Sequence, residues 1–174
     1  MLFALLTLTA MAAEPPAEDP CLKLIQGHTE VQGACIASEM ANLGDAKKAR
    51  RAMMMLVGLG PAAAPSLVTT LKEGNDTARA NAATALGRMG TVPRVGTPPP
   101  ATALQAARDA IPALIGALKD SSTPVRKEVV GALAAMGSHA KQAVPALEAA
   151  AQDDADAEVR QLAGLAVQII GKAQ

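Results

Sequence analysis

The sequence predicts an all-α fold, a right-handed solenoid of stacked antiparallel helix pairs, with about three and a half repeats. Three observations support this prediction. A pattern recurs three times along the chain, and each copy spaces its apolar residues as an α-helix does. The composition fits a stack of close-packed helices, because 50% of the 174 residues are apolar and 40 residues are alanine.

Each copy of the pattern begins at a proline, continues through an arginine and closes at a glycine. The copies are Pro65, Arg79 and Gly90, then Pro112, Arg126 and Gly137, then Pro145, Arg160 and Gly171, and a degenerate earlier copy closes at Gly60. Proline is tolerated in the first turn of one helix, and glycine permits a left-handed cap at the end of a second. Neither helix can bury its apolar stripe alone, so neighbouring copies must stack.

The second copy reads Pro-Ala-Leu-x3-Leu-Lys-Asp-x4-Val-Arg-x6-Leu-x2-Met-Gly, and this pattern resembles a HEAT repeat. It is most similar to the short HEAT-like kind named after phycobilisome lyases. The resemblance covers residues 61–171 well and residues 21–60 poorly. It implies an α-solenoid that serves mainly as a binding scaffold.

The N-terminus predicts export. An apolar run at residues 2–9 precedes Ala10-Met11-Ala12, which is typical of a signal peptide cleaved after Ala12 or Ala13. We therefore expect a signal peptide over residues 1–13, a capping segment with the degenerate repeat over 14–60 and a HEAT-like repeat domain over 61–174. The protein would be periplasmic or secreted, and a cytoplasmic protein with an apolar start is the alternative. We expect no integral membrane anchor, because no apolar run is long enough to span a bilayer.

The two cysteines, Cys21 and Cys35, are expected to form a disulfide if the chain is exported. Two buried free thiols are the alternative. A zinc site is not expected, because His28 is the only nearby nitrogen ligand and no Cys-x-x-Cys is present.

Composition excludes several classes of function. Sixteen basic residues balance sixteen acidic residues, and Phe3 is the only aromatic residue, so we expect no binding of nucleic acid.

The HEAT-like repeat is also the fold of an iron hydroxylase with His-Glu metal ligands, but neither His28 nor His139 is followed by Glu. We find no catalytic constellation, and we expect no enzyme activity, no cofactor and no metal.

An acidic residue precedes each repeat arginine by six positions. The pairs are Glu73 with Arg79, Asp120 with Arg126, and Asp154 with Arg160. The acid lies in the turn between helices and the arginine in the first turn of the next helix, so stacked copies would pair them across repeats. We interpret this series as a structural ladder, and an anion-binding ladder is the alternative.

The last helix is apolar nearly all round. Two, five and nine residues after the repeat arginine, the first two copies carry mostly small or polar residues, whereas the third copy carries Leu162, Leu165 and Ile169. A terminal repeat normally has a polar outer face, so we expect this end to meet a protein partner or a second copy. The alternative is that the N-terminal segment or the loop covers it. The other candidate protein-binding residues are Asn81, Arg88 and Glu128.

Two further segments carry weaker signals. A Pro-rich insertion over residues 91–104 separates the first two copies, and such insertions are often loops on the binding face, with a solvated loop as the alternative. The basic run from Lys47 to Arg51 has the charge to hold an anionic surface, although a solvated helix face is the simpler interpretation.

Taken together, the repeats, the N-terminus and the lack of a catalytic constellation predict an exported, non-catalytic scaffold or adaptor for proteins. The alternatives are a lyase-like enzyme subunit of the bilin lyase type and a binder of anionic surfaces.

Overall fold

The computed structural model describes residues 19–25, 30, 32–89, 91 and 101–172, and it contains only helices and turns in those ranges. The predicted signal peptide and residues 92–100 of the predicted insertion lie outside them. The α-helices are α1 (Pro20–Ile25), α2 (Gln32–Asn42), α3 (Ala49–Leu59), α4 (Ala64–Glu73), α5 (Asp76–Met89), α6 (Ala101–Asp109), α7 (Ile111–Ala117), α8 (Thr123–Ala135), α9 (Val144–Asp153) and α10 (Ala157–Lys172). No helix in these ranges has both the length and the apolar character needed to cross a bilayer.

The chain divides into two compact units, residues 1–35 and residues 36–174. In the first unit, a disulfide joins Cys21 of α1 to Cys35, and both cysteines are fully buried. The Cys21 backbone N–H also donates to the Asp19 carboxylate at 2.9 Å. The disulfide therefore ties α1 to Cys35 in α2, 14 residues further along the chain.

Loss of this disulfide is expected to lower the free energy of unfolding by about 2–3 kcal/mol, because the reduced unfolded chain gains conformational freedom. Urea unfolding with and without reductant measures the change. The Cys21→Ser/Cys35→Ser variant is the control, and reductant should not affect it. Equal unfolding midpoints for the oxidised and reduced wild-type protein would contradict this prediction.

The second unit is an all-α solenoid, as the sequence predicts. The repeats form the helix pairs α4–α5, α7–α8 and α9–α10, and each first helix carries its proline in the first turn. The helix α3 is the second helix of the degenerate earlier copy. Residues 36–60, which include the degenerate copy, share this compact unit with the repeats.

Two details differ from the expected boundaries. The helix α6 starts at Ala101, so the last four residues of the predicted insertion 91–104 are helical. Gly60 and Gly137 have positive φ after α3 and α8, a region that favours glycine, but Gly60 has a ψ of −129° and so is not in the left-handed helical conformation expected of a cap. Gly171 instead lies inside α10, and the third copy does not end at its glycine.

Small side chains set the spacing between repeats. The core of the second unit consists of alanines and aliphatic residues, including fully buried Leu86 and Leu133 on the second helices of consecutive repeats. The closest approach is at Gly87 of α5, where a Cβ would lie 2.6 Å from the Cα of Ala132 in α8. The α5 and α8 backbones therefore meet with no side chain between them.

Candidate protein-interaction surface

An arginine–aspartate ladder joins consecutive repeats. Nε and Nη2 of Arg79 in α5 donate to the two carboxylate oxygens of Asp120, each at 2.8 Å. Arg126 in α8 donates in the same way to Asp154, at 2.8 and 2.9 Å. Nη1 of Arg126 donates to the backbone carbonyl of Asp120 at 2.9 Å. Each guanidinium therefore bridges its own turn and the turn of the next repeat, which fixes the register between repeats.

The ladder stabilises the charged form of its aspartates. The hydrogen bond from Arg126 is the main reason why the pKa of Asp154 lies below its usual value. Burial alone would raise the pKa of Asp120, but hydrogen bonds from Arg79 and from the Ser122 N–H outweigh this effect and lower the pKa. Both aspartates thus contribute to stability in their ionised form.

Glu73 does not belong to the ladder, which corrects its assignment from the sequence. It is the last residue of α4 and is exposed, and among the described residues it makes no ion pair. The residue eleven positions before Gly60, where the earlier copy would carry its arginine, is Ala49. Glu73 therefore has no guanidinium on the preceding repeat. In the turn that follows Glu73, the Gly74 backbone carbonyl accepts a hydrogen bond from Nη1 of Arg79 at 2.8 Å.

Three of the predicted binding residues line one open groove. Asn81 and Arg88 of α5 and Glu128 of α8 face a space of about 500 Å³. We call it the helix-B groove, because it is lined mainly by the second helices of the repeats. The Thr84 hydroxyl donates to Glu128 Oε2 at 2.6 Å across the repeat junction. The Asn81 amide donates to the Leu43 carbonyl at 2.8 Å. These two bonds fix polar groups that line the groove, and Arg88 and Glu128 are both exposed there.

Sequence reasoning missed Thr84 and Met53 as groove residues. Thr84 carried a usable signal, because it lies five residues after Arg79, at the register position that Leu165 occupies in the third copy. Met53 belongs to the degenerate copy, where the repeat pattern is too weak to align residues by sequence.

The apolar residues of α10 separate into two faces. Leu165 and Ile169 are 47% and 50% exposed, whereas Leu162 is partly buried and packs against the core. The exposed pair lies one helical turn apart and forms a continuous apolar strip. The two segments that the sequence offered as an intramolecular cover include residues outside the described ranges.

One other second helix, α3, also exposes an apolar side chain at the register of Leu165. Met54 of α3 is 64% exposed, and it lies five residues after Ala49, as Leu165 lies five residues after Arg160. Of the four large apolar side chains exposed in the described part of the chain, three are therefore on the outward side of second helices, and the fourth is Leu22.

The cations of the basic run have different surroundings. Lys47, Lys48 and Arg50 are exposed, and Asp45 accepts hydrogen bonds from the backbone N–H groups of both lysines. Arg51 instead lies 3.4 Å from the buried carboxylate of Glu39. One of the cations in this run thus serves as the counter-ion of a core carboxylate.

Comparisons with known proteins agree with this architecture. A family model described as HEAT repeats matches residues 95–168. One similar solved structure is the complex of CpcE and CpcF of phycocyanin lyase from Nostoc sp. PCC7120, with a TM-score of 0.56, 16% identity and coverage of 84% of this chain and 96% of that one. Another is an engineered protein, with a TM-score of 0.53, 22% identity and coverage of 87% and 67%. No curated protein matches significantly.

At these identities the two structures support the fold alone. The family match covers the second and third copies of the pattern through most of α10, together with α6. The ladder between α8 and the turn after α9 lies inside the matched range. The protein is therefore an all-α solenoid, and residues 95–168 match the family model of HEAT repeats.

Proposed function

We propose that this protein is a non-catalytic scaffold or adaptor that binds another protein through the outward side of its second helices. The observation that carries the proposal is the exposed pair Leu165 and Ile169 on the terminal helix. The two side chains form one apolar strip, and a partner that covered it would gain from removing this area from water. HEAT repeats generally mediate protein interactions, and the solved relative from Nostoc is itself a complex of two proteins.

The helix-B groove continues this surface along the stack. Arg88 and Glu128 place opposite charges beside it, and such groups select among partners more than they add affinity. An interface with an apolar patch at one end and polar groups along its length has the composition of a specific docking surface.

The decisive variant places charges on the apolar strip. We expect Leu165→Glu/Ile169→Glu to lose at least 90% of a partner that the wild-type protein recovers stoichiometrically from its native host under mild cross-linking. The matched control, Gln152→Glu/Gln168→Glu, adds the same charge to exposed polar positions of α9 and α10 and should retain the partner. Thermal unfolding of both variants checks the fold. Recovery of no stoichiometric protein, or equal binding by the apolar-strip variant, would contradict the proposal.

Export is part of the proposal, and the apolar run at residues 2–9 with Ala10-Met11-Ala12 supports it. A disulfide between Cys21 and Cys35 suits an oxidising compartment. Intact mass of the protein from its native host tests both features. We expect a chain that starts at Ala13 or Glu14 and carries no free thiol, and a chain that retains Met1–Ala12 would overturn export.

A second candidate function is binding of an anionic surface, favoured by exposed Lys47, Lys48 and Arg50. Salt separates the two candidates, because contacts with phosphate groups are screened by ions. Binding to vesicles with anionic headgroups that disappears in about 0.5 M salt would support this candidate. Partner binding through Leu165 and Ile169 should persist there.

A further inference from the structure

Among the described residues, Arg160 makes only the ladder bonds to its own turn. Nη1 of Arg160 donates to the backbone carbonyls of Asp154 and Ala155, at 2.6 and 3.3 Å. Nη1 of Arg126 makes the equivalent pair of bonds in the preceding repeat, to Asp120 and Ser121. Two backbone carbonyls of its own turn therefore hold the Arg160 guanidinium, as the equivalent carbonyls hold that of Arg126.

The remaining donors of Arg160 are those that reach the next repeat. In Arg79 and Arg126, Nε and Nη2 donate hydrogen bonds to the carboxylate of an aspartate in the inter-helix turn of the next repeat. In Arg160, these two groups meet no carboxylate among the residues that the structure describes. A preorganised guanidinium binds a carboxylate with little loss of side-chain entropy. Nε and Nη2 of Arg160 are therefore placed to bind the carboxylate of one further inter-helix turn.

Neighbouring positions on α10 match the junction in the same way. Leu165 lies at the register of Thr84, whose hydroxyl bonds into the next repeat. Gln161 lies at the register of Lys127, which pairs with Asp156 and Glu158 of the next repeat. Arg160, Gln161, Leu165 and Ile169 thus form one half of a repeat junction, which we call the C-terminal face.

We propose that the C-terminal face docks a further helix pair of the HEAT type, carried by another protein, with an aspartate in its inter-helix turn that binds Nε and Nη2 of Arg160. This inference rests on the proposed scaffold function and names the chemistry of the partner. A second copy of this chain fits less well. The turn aspartates Asp120 and Asp154 are already bound by arginines. The exposed Asp45, in the turn between α2 and α3, could meet Arg160 of a second copy only in a head-to-tail contact, which does not close and would extend into a filament.

The chain's own third repeat is the probe. A duplicate of residues 138–171, inserted between Gly171 and Lys172 of the full chain, offers Arg160 a turn aspartate in the natural register. We expect Arg160→Ala and alanine at the duplicated Asp154 each to lower the melting temperature of the extended protein by several degrees. The double variant should lose no more than the larger single loss. Additive losses, or no loss from either change, would overturn the proposal.

The natural chain provides the matched controls. Arg160→Ala should change its melting temperature much less than Arg126→Ala does, because no carboxylate bond is lost. Equal losses would overturn the proposal, since Arg160 would then have a carboxylate within its own chain. Sedimentation equilibrium tests the second copy, and a dimer that Arg160→Glu dissociates would overturn a partner from another protein.

The outcome is separable from that of the proposed function. If Leu165→Glu/Ile169→Glu loses the partner from the native host while Arg160→Ala retains it fully, the scaffold stands and the aspartate-bearing helix pair is wrong. If the duplicate couples to Arg160 but no native partner is recovered, the chemistry of the face stands and the scaffold function fails.

Discussion

Replacing Gly87 by valine is expected to destabilise the second unit by more than about 3 kcal/mol, at the upper end of the range for overpacked sites. A Cβ on Gly87 would lie 2.6 Å from the Cα and 2.7 Å from the Cβ of Ala132. Neither atom can rotate away, because both belong to the backbone region of α8. The helices α5 and α8 must separate, and the buried leucines between them lose contacts. Urea unfolding followed by circular dichroism measures the loss.

Gly131 is the matched control for this prediction. It lies inside α8 and is exposed, and a Cβ there would have no atom within 4 Å. Gly131→Ala should therefore stabilise the protein by about 0.5–1 kcal/mol, because alanine loses less backbone entropy in a helix. Gly87→Ala should destabilise, with a smaller effect than valine. If both alanine variants stabilise the protein, close contact between α5 and α8 is not what requires glycine at position 87.

The fold was predictable because its signals are local and repeated. Pro65, Pro112 and Pro145 mark the starts of first helices wherever they occur, and an eleven-residue spacing aligns the second helices. A single degenerate copy has no such redundancy. For that reason, the resemblance is poor up to residue 60, although α3 packs in the same unit as the repeats.

The site was predictable only where it follows the repeat register. Asn81, Arg88 and Glu128 came from register positions, and all three line the helix-B groove. Glu73 has the right spacing from Arg79, but whether an acid finds a guanidinium depends on the preceding repeat, which has Ala49. Leu162 looks equivalent to Leu165 by composition, yet only the direction of each side chain on α10 decides which one meets the core.

Breaking the ladder at Asp154 has the other large expected effect. Asp154→Ala leaves Arg126, which is 11% exposed at the side chain, without its carboxylate, and an uncompensated charge of this kind costs about 3 kcal/mol or more. It also removes the acceptor for the Asp156 N–H. The exposed Glu73→Ala is the control and should change stability by less than about 0.5 kcal/mol. Comparable losses in the two variants would contradict the ladder's role in holding repeats together.

The same variant has a defined pH signature. The pKa of Asp154 is lowered in the folded protein, so its contribution is fully present above the unfolded-state value of about 3.9. The contribution is lost as pH falls through the lowered folded value, because the unfolded chain then binds the proton more readily. The stability difference between wild type and Asp154→Ala should stay constant from pH 7 to about pH 5 and shrink below about pH 4. A difference that is independent of pH down to the acid transition would show that the aspartate acts through packing and not through its charge.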